Sequence, residues 1–301
     1  ILTPEGDKVK LFELVYFQKH ASKEVLEHWN ILVGRQPSAG FSLQAGELQV
    51  QAEDVLVWTE PREDRVSLAL YCEKLLSLMK EEEDKVWWLL CTLTDQVLGE
   101  VSSIALLHDL DITEQPRTGA AVLLSELPGK LRDMGYTLWD DAGDYLENSY
   151  IAYELEPVKD PEAGRLDVGA GSTRLPVLIN DYMRAESGVM DDYHRDGIAA
   201  GFLCYPLAGF TGERRTEEIL TFRDALRESV REHAGEDAVT FLGGATGLSY
   251  GYLDLMAWDL PAVLDAAREF FAGTDLAWGG FHVFRRDVGA VRLWEQEGEP
   301  Q

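Results

Sequence analysis

The sequence predicts an α+β protein of two domains, the second a ferredoxin-like β-α-β-β-α-β sandwich with an extra C-terminal strand. Three observations carry that reading. Residues 199–285 run through four β-rich stretches and two amphipathic helical stretches in that order, with short connections. A chain of 301 residues is long for one hydrophobic core. Between the halves, Pro157, Pro161, Gly164, Gly169 and Gly171 interrupt any regular pattern. The expected division is an N-terminal α+β domain over 1–156, a linker and irregular segment over 157–198, and the ferredoxin-like domain over 199–301.

In chain order, residues 9–17 alternate and are rich in β-formers, which predicts an opening strand. Ser22 caps a short helix whose Val25, Leu26 and Trp29 share one face. Residues 34–40 form a loop around Pro37, and short strands follow near Phe41 and over 55–58. For 66–72 the periodicity leaves strand and helix both open, the helix continuing through Leu75, Leu76, Leu78 and Met79. The charged run 80–85 reads as a solvated turn. Val86, Leu89, Leu90, Leu93 and Val97 recur at helical spacing over 84–98, with Trp87 and Trp88 widening the apolar face and Gly99 stopping the helix. A strand over 101–107, a helix over 125–135 between Ser125 and Gly135, and further strands within 136–153 complete the first domain. Residues 175–183 fit strand or helix, and 187–197 is polar.

The second domain opens with a strand over 199–205. A helix over 216–233 carries Ile219, Leu220, Phe222, Leu226 and Val230 on one face. A hairpin follows, with strands over 238–242 and 248–258 and a turn at Gly243–Gly247. In its second strand Tyr252, Asp254, Met256 and Trp258 alternate with Leu253, Leu255 and Ala257. Asp259 then stands as an N-cap with Pro261 in the first turn, and Val263, Leu264, Ala267, Phe270 and Phe271 stripe a helix over 260–272 that ends at Gly273. Strands over 278–285 and 291–294 close the chain.

The composition excludes several function classes. Fifty-four acidic residues against 27 basic ones give a formal charge of −27, a field that repels nucleic acid and anionic membranes and speeds encounter with a basic partner. No apolar run reaches membrane-spanning length and the first residues show no basic-then-apolar leader, so the expected location is the cytoplasm. Cys72, Cys91 and Cys204 sit in apolar runs without metal-ligand spacing and read as buried thiols.

Motifs that specify a reaction are absent, and neither cofactor nor metal is expected. His108-Asp109-Leu110-Asp111 and the run 191–196 gather ligating side chains, but in a chain this acidic such groups are ordinary turn residues. Gly243–Gly247 leads into a strand rather than a helix, which favours a turn over a phosphate cradle, though Ser249 and Tyr250 just beyond it are placed to meet a ligand. Asp95 and Glu100 read as capping or ion-pair groups.

Asp254 is the conspicuous acid. It shares a strand face with Tyr252 and Trp258, and the topology brings His282 and Trp278 near. Either that face is a binding platform, or it packs on the first domain and Asp254 requires a cation such as Arg285 or Arg286. The function expected first is a non-catalytic acidic protein that binds a basic, nuclease-like partner in the manner of an immunity protein or inhibitor, with Asp191, Asp192 and Asp196 as contact residues. The alternative is a small-ligand-binding protein or hydrolase with a pocket at the domain interface around Asp254, Tyr252 and His282. The oligomeric state is left open.

Overall fold

A computed structural model describes residues 1–46 and 48–296 and is of the α+β class. The chain divides into two compact units, Ile1–Asn148 and Ser149–Gln301.

The first unit begins with helices α1 (Lys8–Lys19) and α2 (Lys23–Leu26). The strand expected over 9–17 is therefore a helix. The Asp7 side chain accepts from the Val9 amide at 2.8 Å, capping the first turn. Leu11, Phe12 and Val15 turn inward at helical spacing, while Phe17, part of the apparent alternation, is exposed. Val25, Leu26 and Trp29 after Ser22 are likewise exposed rather than packed.

Strands β1 (Ser42–Ala45) and β2 (Leu48–Gln51) form a separate hairpin, and β3 (Leu56–Arg62) and β4 (Arg65–Tyr71) pair antiparallel. After α3 (Leu76–Met79), α4 (Glu83–Leu98) and α5 (Glu100–Leu106) meet at Gly99, whose φ of 83° lets the chain turn sharply. Residues 101–107, expected as a strand, are thus mostly α5. Its start is fixed by the buried Glu100 carboxylate, which accepts from Thr3 Oγ1 at 2.6 Å and the Arg35 amide at 3.0 Å. β5 (Leu107–Ile112) then runs parallel to β4, and β6 (Val122–Leu123) completes a sheet of order β5-β4-β3-β6. Helices α6 (Leu127–Asp133) and α7 (Ala142–Asn148) end the unit. Its core packs Val57, Leu68 and Leu70 of the sheet against Leu89, Leu90 and Leu93 of α4. Trp87 and Trp88 are more than half exposed, so they lie off that face. Among the described residues no single helix is long and apolar enough to cross a membrane; α4 and α5 reach that length only together, across a 102° bend.

The second unit contains β7 (Ile151–Glu154), β8 (Val168–Thr173), α8 (Pro176–Arg184), α9 (Gly188–Arg195), β9 (Ala199–Pro206), α10 (Arg215–Ala234), β10 (Val239–Gly247), β11 (Tyr250–Ala257), α11 (Leu260–Ala272), β12 (Trp278–Val283) and β13 (Val291–Glu295). Its seven strands lie in the order β13-β12-β9-β11-β10-β8-β7, every neighbouring pair antiparallel. Two expectations are corrected. The segment 157–198 is not a linker, because β8 is an inner strand and α8 and α9 are regular helices. Residues 149–154 belong to this unit; of the strands expected over 136–153, β7 is present, while α7 stands where the others were expected.

The third correction concerns the hairpin: Gly243–Gly247 is strand rather than turn, and the chain reverses at Leu248 and Ser249. A one-residue bulge follows Phe241. Gly243 adopts φ 149°, and a side chain there would collide with the Ser172 carbonyl of β8. The glycines let three backbones approach closely.

Alternation sorts the two sheet faces. Leu203, Tyr205, Leu253, Leu255 and Phe281 meet Ile219, Leu226 and Val230 of α10 and Val263, Ala267 and Phe271 of α11. The intervening residues face the other way, towards Pro161–Asp167, a run of 3₁₀ turns, and towards α8 and α9.

Candidate functional site

On that second face, pairing between β11, β9 and β12 sets Asp254 opposite Phe202 and Phe202 opposite His282; one step along, Tyr252, Cys204 and Gly280 form the next row. Asp254 is fully buried. A carboxylate there demands a cation, and Arg165 provides it from the 3₁₀ segment. Its two terminal nitrogens donate to the two Asp254 oxygens at 2.7 Å each, and one also donates to Tyr153 Oη at 3.2 Å. The guanidinium lies 4.7, 4.9 and 5.2 Å from the rings of Phe202, Tyr252 and Phe284, so aromatic faces also stabilise the cation. Burial opposes both charges: it raises the Asp254 carboxyl, against the pull of Arg165, and it opposes the Arg165 charge, which Asp254 more than restores.

The expected partners, Arg285 and Arg286, are elsewhere. Arg285 is engaged by Asp191 at 2.5 Å and Asp287 at 3.0 Å. The covering of this face comes from within the second unit itself.

A second buried acid anchors the same segment. Asp167 accepts from the Ser249 amide at 2.8 Å, the Tyr250 amide at 3.1 Å and Tyr252 Oη at 2.7 Å, which pins the β10–β11 turn. Burial, with Asp167 adding to it, pushes the Tyr252 hydroxyl far above its ordinary value, so it stays a donor. Gly247 passes so close to the Asp167 carboxylate that any side chain there would strike it.

Beside the anchored segment opens a cleft of about 710 Å³, bordered by Tyr250, Tyr252, Trp278, His282, Arg286 and Arg292, with Arg165 in its floor. The Tyr250 and Trp278 rings sit 5.5 Å apart at 56°, and Arg292 stacks over Trp278 at 4.4 Å. His282 stacks on Phe202 at 5.3 Å, nearly parallel. Its two ring nitrogens lie 2.5 Å from the Val283 carbonyl and 3.0 Å from the Val288 carbonyl, which fixes the ring's orientation at the cleft edge. Cys204 also borders the cleft, but burial pushes its thiol up to about 12, which leaves it protonated and unreactive near neutrality.

Of the residues selected from sequence, Tyr252 and His282 come together in the cleft, and Asp254 lies beneath its floor. The residues that border the cleft all belong to the second unit. Trp258 is apart from it, donating from Nε1 to Thr240 Oγ1 at 3.0 Å. Asp191, Asp192 and Asp196 lie on and just after α9. Asp191 meets Arg285, and Arg195 meets Asp192 at 2.8 Å and Asp196 at 3.8 Å. In the first unit, Asp111 pairs with Arg117, and no group of three His, Cys, Asp or Glu residues among the described residues is placed to hold a metal ion.

Sequence reasoning missed Arg165 and Arg292. The available signal for Arg165 was the acid itself: an aspartate inside a central strand implies a buried cation somewhere in the chain.

Comparison with protein-family models, with curated proteins and with solved structures found no match to this chain.

Proposed function

We propose that the second unit is a binding module for a small organic ligand, held in the cleft over Tyr250, Tyr252 and Trp278. The observation that carries this reading is the cleft's construction. Its volume falls within the usual range for ligand sites, its walls are aromatic, and its floor is immobilised by the Arg165–Asp254 pair and the Asp167 anchor. No nucleophile with an adjacent base is recognisable at the cleft, so binding rather than turnover is proposed. The test is a fragment screen by two-dimensional NMR. Ligands that move the resonances of Tyr250, Trp278 and Gly280 support the reading, and Trp278→Ala weakens the response while amides of α10 and α11 stay in place. Shifts scattered over the surface, unaffected by Trp278→Ala, overturn it.

The acidic-binder reading rests on a different observation, the formal charge of −27. In that reading a cytoplasmic, non-catalytic inhibitor approaches a basic nuclease-like protein, steered by charge, with the exposed α9 acids Asp191 and Asp192, and Asp196 beyond them, at the contact. The local arginines already compensate these three acids, which is why the cleft is preferred. Surface plasmon resonance against basic nucleases tests it: association that slows steeply with added salt and with D191K/D192K supports it, and salt-independent or absent binding refutes it.

On the fold, the neighbours β12-β9-β11-β10, built from β9-α10-β10-β11-α11-β12, support the ferredoxin-like reading of the central part of this unit. In that reading β8, β7 and β13 are additions at the sheet edges.

A further inference from the structure

Resting on the cleft reading, we infer that the ligand is a flat organic anion, an aryl or heteroaryl carboxylate or phosphate, with its ring against Trp278 and Tyr250 and its charge at Arg286 and Arg292. The first support is a local inversion of charge. The chain carries twice as many acids as bases, yet the cleft is bordered by three arginines and a single carboxylate, Glu162. Arg165 is cancelled by Asp254 beneath it, which leaves Arg286 and Arg292 facing the opening.

The second support is that these two guanidinium groups are poorly committed. Arg286 forms no ion pair with any described residue, and its hydrogen bond to the Met183 carbonyl is long at 3.4 Å. Its neighbour Arg285 is held by two aspartates, so the bare state of Arg286 is not imposed by the loop. Arg292 has Glu295 only at 3.8 Å, beyond hydrogen-bond reach, and spends its flat face on Trp278. A guanidinium stacked on an aromatic ring keeps its edge donors in plane, which is the geometry that takes a carboxylate or phosphate. The third support is the paired rings of Tyr250 and Trp278, which offer a stacking surface beside those donors.

The test titrates the full chain with phenylacetate, phenyl phosphate, benzyl alcohol, benzylamine and inorganic phosphate, following the Trp278 indole and the Gly280 amide by NMR. The expected result is that the two aryl anions bind at least about tenfold more tightly than benzyl alcohol or benzylamine. R286Q and R292Q each erase that preference, and Trp278→Ala weakens every aryl probe. Both arginines are exposed, so the fold tolerates the changes, and unshifted α10 and α11 amides verify it. Equal or tighter binding of the alcohol or the amine overturns the anionic assignment while the cleft reading stands. Inorganic phosphate binding as well as phenyl phosphate overturns the ring. No response to any probe at millimolar concentration overturns the cleft reading and this inference together.

Discussion

Replacing Asp254 by asparagine keeps the side-chain shape and removes one charge, leaving the Arg165 guanidinium, 2% exposed, without its counter-ion inside the sheet face. Breaking one half of a buried ion pair costs about 3–5 kcal/mol, against a total stability on the order of 5–15 kcal/mol for a domain. With a urea slope of about 2 kcal/mol per molar, the unfolding midpoint of the second unit falls by roughly 2 M. Because two compact units need not unfold together, the readout is hydrogen exchange of β9 and β11 peptides at increasing urea rather than total fluorescence. The companion variant R165M/D254L replaces the pair by apolar side chains among Phe202, Tyr252 and Phe284, and regains most of the loss. Little dependence on salt is expected, because the pair is shielded from solvent. A midpoint shift below about 0.5 M for D254N, or a double variant no more stable than the single one, refutes the assignment of this pair as the keystone of the second face.

Gly243→Ala drives a methyl group into the Ser172 carbonyl and costs at least about 2 kcal/mol by urea unfolding, whereas Gly209→Ala, with open space around it, is nearly neutral. Cys91 and Cys204, both pushed up to about 12 by burial, react with iodoacetamide in the native protein at least about a hundredfold more slowly than free cysteine near pH 8. The sign follows from the raised values: the thiolate fraction grows with pH, so labelling followed by mass spectrometry accelerates about tenfold per pH unit until the chain unfolds. Trp88→Gln changes stability by less than about 0.5 kcal/mol. Leu90→Ala, on the buried face of the same helix, costs about 2–5 kcal/mol; circular dichroism melts of the two variants separate the faces.

Local chemistry made the second unit's central elements legible. Asp259 does cap α11, accepting from the Ala262 amide at 3.1 Å, and the stripes on α10 and α11 do mark their buried faces. Where the reading failed, two local rules competed or a tertiary contact decided. The stretch 9–17 satisfies both alternation and helical spacing, and the Asp7 cap with burial of Leu11 and Val15 selected the helix. Glycines around 169–171 and 243–247 signalled turns, yet Gly171 and Gly243 serve close strand packing, with the Tyr153 ring and the Ser172 carbonyl in the places a side chain would take. Residues 175–183 fit strand or helix, and Pro176 in the first turn, where a proline forfeits no hydrogen bond, starts the helix α8. The candidate site was half visible. Tyr252, Asp254 and His282 follow from strand alternation, but no short-range pattern links Arg165 to an acid in a distant strand.

That distance bears on how the chain comes to fold. Arg165 and Asp254 are 89 residues apart, whereas β10 and β11 are joined by a tight reversal, so their pairing is local in the chain. The hairpin can therefore form early with Asp254 still hydrated, and sealing the face requires closure of a long loop that brings 161–167 back onto it. Until then the aromatic row of Phe202, Tyr252 and Phe284 stays open to water and to other chains. The step that seals the sheet is thus the one most exposed to aggregation during refolding.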